Sequence, residues 1–231
     1  MPTLHVLKVF VGEDSGGGPV GGNPLGVFLD GGDIPEEERQ PVARELGFSE
    51  TVFVEDRPSG ALRIFTPTTE LPFAGHPLVG TAWLLAQEGN EVSALRPPAG
   101  GVPVRGADDM TYIIGRPEWA PPFEHVEYGS PGEIDSLEGP PPGLDQAGVW
   151  AWEDEAEGLV RARVFVPELG ISEDEATGAY AVRLCARLGR EISIRQGVGS
   201  RIQARPLPDG SVEIGGRVRA VEERDFEISS R

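Results

Sequence analysis

The chain has 231 residues, enough for one large domain or two of roughly 100 residues that can each bury a core. With 39% hydrophobic and 25% charged residues it reads as a globular chain rather than a disordered one. A formal net charge of -18, from 20 basic against 38 acidic side chains, repels a phosphate backbone and argues against nucleic acid as a partner, whereas a small anion held by helix N-termini in a cleft stays compatible. A single cysteine, Cys185, allows no intrachain disulfide and no thiolate metal cluster. No apolar run reaches the roughly 18 residues of a membrane span, and MPTLHVLKVF does not read as a signal peptide, so a cytoplasmic address and no membrane partner are expected.

LHVLKVFV alternates and is rich in branched residues, which predicts a strand; GEDSGGGPVGGNP reads as a glycine-rich loop and LGVFLD as the next strand. DIPEEERQPVAREL opens with an acid at the N-cap position and acids in the first turn, so a helix is expected, kinked at Pro41 and closed by Gly47. SETVFVED and ALRIFTP are strands, HPLVGTAWLLAQEG a buried helix, GVPVRG and MTYIIG strands again. From Arg116 to Gln146 the composition turns to proline, glycine and acid, as expected of a linker and loops. Strands follow at GVWAWED and LVRARVFVP, a helix across TGAYAVRLCARLG, and strands at EISIRQG, RIQARPL and SVEIGG.

An internal repeat is visible. Arg63-Ile64-Phe65-Thr66-Pro67 is echoed by Arg163-Val164-Phe165-Val166-Pro167, and HPLVGTA from His76 aligns with DEATGAY from Asp174, which places His76 opposite Asp174 and Gly80 opposite Gly178. The reading is of two α/β lobes, residues 1–116 and 117–231, whose paired helix N-termini share one cleft. The amides around Ala74–His76 and Thr177–Ala179 would then aim at a common point that suits a carboxylate, with Gly75 and Gly178 admitting a ligand close to the backbone.

His76 can act as acid, base or orienting group, or simply cap its helix. Glu50, in GFSETVFVE beside Phe48, Val52 and Phe53, would have a raised pKa if buried and could carry a proton both ways. Asp174 is either its partner or a helix cap. Glu173, Glu175 and the run Glu36–Glu38 read as solvated faces. His5, His76 and His125 lack metal-ligand spacing, and no phosphate loop, nucleophile elbow or dinucleotide fingerprint is present, so no metal and no cofactor is called for.

Taken together, GNPLGVF, GFSETVFV, RIFTPTTELPFAGHPLVGTA and EDEATGAYA resemble the signature set of the phenazine-biosynthesis PhzF-like family, over nearly the whole chain and in order. The resemblance implies the diaminopimelate epimerase-like fold: two similar α/β domains, each a mixed sheet curled around a central helix, with the active site between them, commonly in a homodimer. It implies a cofactor-free isomerase moving a proton on a small carboxylate-bearing substrate. Glu50 would be the catalytic acid/base, His76 and Asp174 its partners, and Ser49, Gly75, Gly178 and Ala179 the substrate contacts. Epimerase relatives use two cysteines, and the matching positions here hold no thiol. The family usually shows EDPATGSA, so Ala179 lacks an expected hydroxyl and Glu175 stands in place of proline; the chain is also shorter than the family, mainly in its second half. A non-catalytic metabolite-binding protein that keeps the cleft is the alternative.

Overall fold

The computed structural model describes residues 1–228, apart from the side chain of Leu169. In chain order these form β1 (Thr3–Glu13), β2 (Pro19–Phe28), α1 (Glu36–Leu46), β3 (Glu50–Asp56), β4 (Ala61–Phe65), β5 (Glu70–Leu71), α2 (Gly75–Gln87), β6 (Ala94–Leu95), β7 (Val102–Ala107) and β8 (Met110–Gly115). The second half contains β9 (Glu124–Glu127), α3 (Pro131–Asp135), β10 (Ala147–Asp154), β11 (Leu159–Val166), β12 (Ile171–Asp174), α4 (Gly178–Leu188), β13 (Ile192–Gln196), β14 (Ser200–Pro206) and β15 (Val212–Asp225).

The strands join in one mixed sheet with the path β5-β4-β3-β2-β1-β15-β14-β13-β11-β10-β9, while β12 adds to β11, and β6, β7 and β8 branch from β15. This is the α/β architecture that the resemblance implies. α2 is apolar on nearly every side, because it runs through the middle of the first half, against β1, β2, β3, β8 and β15. Leu78, Val79 and Leu85 are fully buried there, each contributing about 1.5–3 kcal/mol relative to exposure. Gly80 is what lets the helix lie so close: a Cβ there would sit 2.5 Å from a Leu25 methyl and 2.7 Å from one of Val9. α4 packs on β14 and β15 and touches α2. No helix among the described residues is long and apolar enough to cross a membrane.

Several sequence expectations change. β2 starts at Pro19, inside the stretch read as a loop, because its ladder with β1 continues through Gly21, Gly22 and Asn23. Gly21 and Gly22 hold φ of 66° and 87°, which only glycine adopts without strain. Pro35, not Asp33, is the N-cap of α1, and Asp33 ends a short 3-10 turn. Pro41 does not interrupt α1; it lies on the exposed face and sacrifices only the bond its missing N–H would have made. The segment read as linker carries β9, parallel to β10, and α3, capped by Ser130. The last strand runs nine residues past Gly216, to Asp225, and pairs along β1 from Val11↔Arg217 to Thr3↔Asp225.

The repeat is real, but its second register is wrong. Arg63 lies over the Phe65 ring and pairs with Glu70; Arg163 lies over Phe165 and pairs with Glu173 at 2.8 Å. Both pairs join antiparallel strands, with Ile64 opposite Leu71 in one half and Val164 opposite Asp174 in the other. The helices then begin at Gly75 and Gly178. The counterpart of Asp174 is therefore Leu71, and that of His76 is Ala179. A 3-10 turn at Pro167–Leu169, followed by Gly170 at φ 81°, lengthens the second loop and shifts everything after it.

Candidate active site

Each side chain reaches the site from a different element. Glu50 is the first residue of β3, set beside Leu25 by the parallel β2–β3 pairing; His76 is in the first turn of α2; Asp174 ends β12; Ser49 precedes β3. The two helix N-termini meet: a Cβ on Gly75 would lie 2.6 Å from the Gly178 Cα, and one on Gly178 would lie 2.7 Å from the Gly75 Cα. Only glycine at both positions permits that approach. The first amides of α2 and α4, which have no partner inside their helices, are thereby brought side by side.

The three candidate groups converge. The Glu50 Oε2 and His76 Nε2 atoms face each other at 3.5 Å, both buried and neither with another hydrogen-bond partner. Asp174 is 4% exposed; its Oδ1 accepts from Asn23 Nδ2 at 2.7 Å and its Oδ2 from the Thr177 hydroxyl at 2.7 Å. Asn23 connects the set: it also donates to the Ala176 carbonyl at 2.9 Å, accepts from the Ser49 hydroxyl at 3.1 Å, and lies 3.4 Å from His76 Nδ1. Gln196 braces the loop, donating to the Asp174 carbonyl at 2.8 Å and the Thr177 hydroxyl at 2.9 Å, and accepting from the Thr177 N–H at 3.1 Å.

Burial drives the titration of all three groups. The Glu50 carboxyl is raised to about 8, first by desolvation and then by the charge of Asp174, with Ser49 pulling the other way. Burial also raises Asp174, to about 6, against the lowering effect of the bonds from Thr177 and Asn23. The His76 ring is lowered to about 3 by desolvation, partly offset by the Pro24 backbone. Desolvation thus favours the acid form of Glu50 and the neutral imidazole of His76. Both amide protons of Asn23 are committed to Asp174 and Ala176, so neither is free for His76 Nδ1, and His76 Nε2 faces Glu50.

A cleft of about 350 Å³ borders this set, lined by Asn23, Ser49, Glu173, Asp174 and Glu175 together with Phe48; Glu50 and His76 are buried and do not line it. Gly75, Gly178 and Ala179 are buried and do not line the cleft. Glu175, half-buried at the edge of the cleft, is not simply a solvated acid: it reaches the β13–β14 turn, where it accepts from the Val198 N–H at 3.1 Å and the Ser200 hydroxyl at 2.7 Å. Glu173 and Glu36 are likewise paired, with Arg163 and Arg63. His125 stacks on Tyr180, away from the site. Among the described residues no cluster of histidine, cysteine, aspartate and glutamate could hold a metal ion.

Asn23 and Gln196 are site residues that the sequence reading missed, and Thr177, expected there for its backbone, contributes its hydroxyl to Asp174. Asn23, between Gly22 and Pro24, has the composition of a turn, which hid its role. Gln196 left a clue: it continues the inward alternation of Ile192 and Ile194, so a polar group was destined for the interior.

The profile of the family described as phenazine biosynthesis-like protein matches residues 17–138. A trans-2,3-dihydro-3-hydroxyanthranilate isomerase from Pseudomonas fluorescens is 33% identical over 78% of this chain and 78% of its own. One of the same name from Pseudomonas aeruginosa is 32% identical over 94% of this chain and 93% of its own. Among solved structures, a putative phenazine biosynthesis PhzC/PhzF protein from Clostridium difficile superposes with a TM-score of 0.77, covering 99% of this chain and 100% of that one at 21% identity, a likeness of fold.

Proposed function

From the premise that this chain belongs to the phenazine biosynthesis-like (PhzC-PhzF) family and is an isomerase, we propose that Glu50 carries a proton between two positions of a small carboxylate-bearing substrate. In this reading residues 1–116 and 117–231 are two lobes and the reaction takes place where they meet. The substrate carboxylate rests on the first amides of α2 and α4 at Gly75, Gly178 and Ala179, and Ser49 contacts the ring or its substituents. His76, neutral, accepts the Glu50 proton through Nε2 and orients the carboxyl group. Asp174, ionised, keeps Glu50 from losing its proton to solvent and so sets the balance between acid and base forms.

The observation that supports this most is the pair of buried, otherwise unpartnered atoms, Glu50 Oε2 and His76 Nε2, held 3.5 Å apart. Buried polar atoms are ordinarily satisfied, and a proton in transit is the function for which this pair is left open. The compound named for the two Pseudomonas relatives, trans-2,3-dihydro-3-hydroxyanthranilate, is the first substrate to test. Incubated in deuterium oxide, the wild-type protein should place solvent deuterium on a product carbon and the Glu50→Gln variant should not. Turnover of that compound by Glu50→Gln at the wild-type rate would remove Glu50 from the mechanism. A homodimer belongs to the same proposal, and light scattering at micromolar concentration decides it.

A further inference from the structure

Glu175 occupies a seat made for a carboxylate. Its Oε1 accepts from Val198 N–H and from Ser200, and its Oε2 from Val198 N–H at 3.2 Å. Gly197 and Gly21, at φ 55° and 66°, make room: a Cβ on Gly197 would fall 2.1 Å from Oε2, and one on Gly21 2.9 Å from Oε1. Ser200 is fully buried, and its hydroxyl in turn accepts from the Gly22 N–H at 2.8 Å. Gly22 precedes Asn23, whose amide donates to Asp174, and Asp174 precedes Glu175. The contacts therefore close a ring, Asp174–Glu175–Ser200–Gly22–Asn23–Asp174, that crosses from the second half of the chain to β2 in the first and back.

We propose that Glu175 and Ser200 are positioning residues for the proton-transfer set, fixing the Asp174 carboxylate and the Asn23 amide by clamping both to the turn between β13 and β14. This rests on reading Asp174 as a member of that set. Glu175 is held in its seat by the Val198 N–H and the Ser200 hydroxyl, so its charge acts on the neighbouring Asp174 and disfavours its ionised form, while the ring keeps Asn23 donating to Asp174 and favours it. The other titratable groups facing Asp174 are Glu50 from β3 and His76 from α2; Asn23, Thr177 and Gln196 are neutral. The clamp thus exerts two effects of opposite sign, and separate substitutions divide them.

The test needs no turnover. The Asp174 carboxyl is titrated by carbon-13 NMR, and exchange of the Asn23 side-chain amide protons is followed in the same samples. Glu175→Gln removes the charge and keeps an acceptor oxygen for Ser200, so Asp174 should titrate below its wild-type midpoint with Asn23 still protected. Ser200→Ala keeps the charge and opens the ring, so Asp174 should titrate above that midpoint and Asn23 exchange should quicken by about fivefold, the loss of one net hydrogen bond. Ser200→Cys, which keeps a weaker donor and acceptor in the seat, replaces Ser200→Ala if that variant fails to unfold cooperatively. Wild-type midpoints in both variants, or displacement in the same direction, overturn the proposal. Failure of the Glu50→Gln experiment would not alter these readings, and failure here would leave that experiment unaffected.

Discussion

Glu50→Gln should stabilise the protein increasingly as pH rises. In the unfolded chain the carboxyl titrates at its ordinary 4.5; in the folded protein burial and Asp174 raise it to about 8. A carboxyl raised on folding contributes its full stabilisation below 4.5, and that contribution is lost as pH climbs through the folded value, because the unfolded state gives up its proton first. Each pH unit between the two values is worth about 1.4 kcal/mol, so the whole interval represents up to about 5 kcal/mol, and the part between pH 5.5 and 8 up to about 3 kcal/mol. Glutamine never ionises and keeps the size of the side chain that faces His76 Nε2. The variant and the wild type should therefore differ little only below about pH 4.5, and between pH 5.5 and 9 the variant should gain up to about a further 3 kcal/mol on the wild type. Asp174 is present in both proteins and largely cancels. Urea denaturation at pH 5.5, 7 and 9, with equal m-values, measures the difference. A gap that stays constant across that range, or a variant less stable at pH 9, refutes a buried, protonated Glu50.

Three more outcomes follow from the same geometry. If proton removal from substrate comes first, the ionised form of Glu50 is required, so kcat/KM should rise with pH and level off above about 8 as measured in a rate profile; a profile that falls through that region would make Glu50 the initial acid instead. Gly75→Ala sets a methyl group 2.6 Å from the Gly178 Cα, so the helix ends must part; activity should be lost and stability fall by about 1–3 kcal/mol, read by turnover and thermal melting. Ala179→Ser restores a hydroxyl at the start of α4, and should tighten binding of a carboxylate-bearing ligand by about fivefold in calorimetry, provided the carboxylate sits at that helix end.

Local pattern carried much of this molecule. The alternation of LHVLKVFV and SETVFVED, the apolar run of α2 and the glycines closing α1 and α4 each depend on neighbours within a few residues, so they are legible in order. So is the Arg-x-Phe repeat, because each copy makes the same ring stack and the same arginine–glutamate pair. Glu50, His76 and Asp174 were legible as candidates through motif resemblance. That they share one site was expected from the repeat and the resemblance; the contacts through Asn23 that join them were not. The outer half of β15 shows no alternation because its residues are exposed, and only its ladder with β1 makes RVRAVEERD a strand. The extra turn before β12, which moves Asp174 out of register with His76, is invisible until both strands are paired. Asn23 and Glu175 resembled a turn residue and a solvated acid, because their partners lie far along the chain at Asp174 and Ser200. The chain order thus determined which elements form and which residue types were available. Tertiary structure decided which of them lose water together, and it is that shared desolvation, a property of the assembled site, that raises the Glu50 carboxyl above its ordinary range.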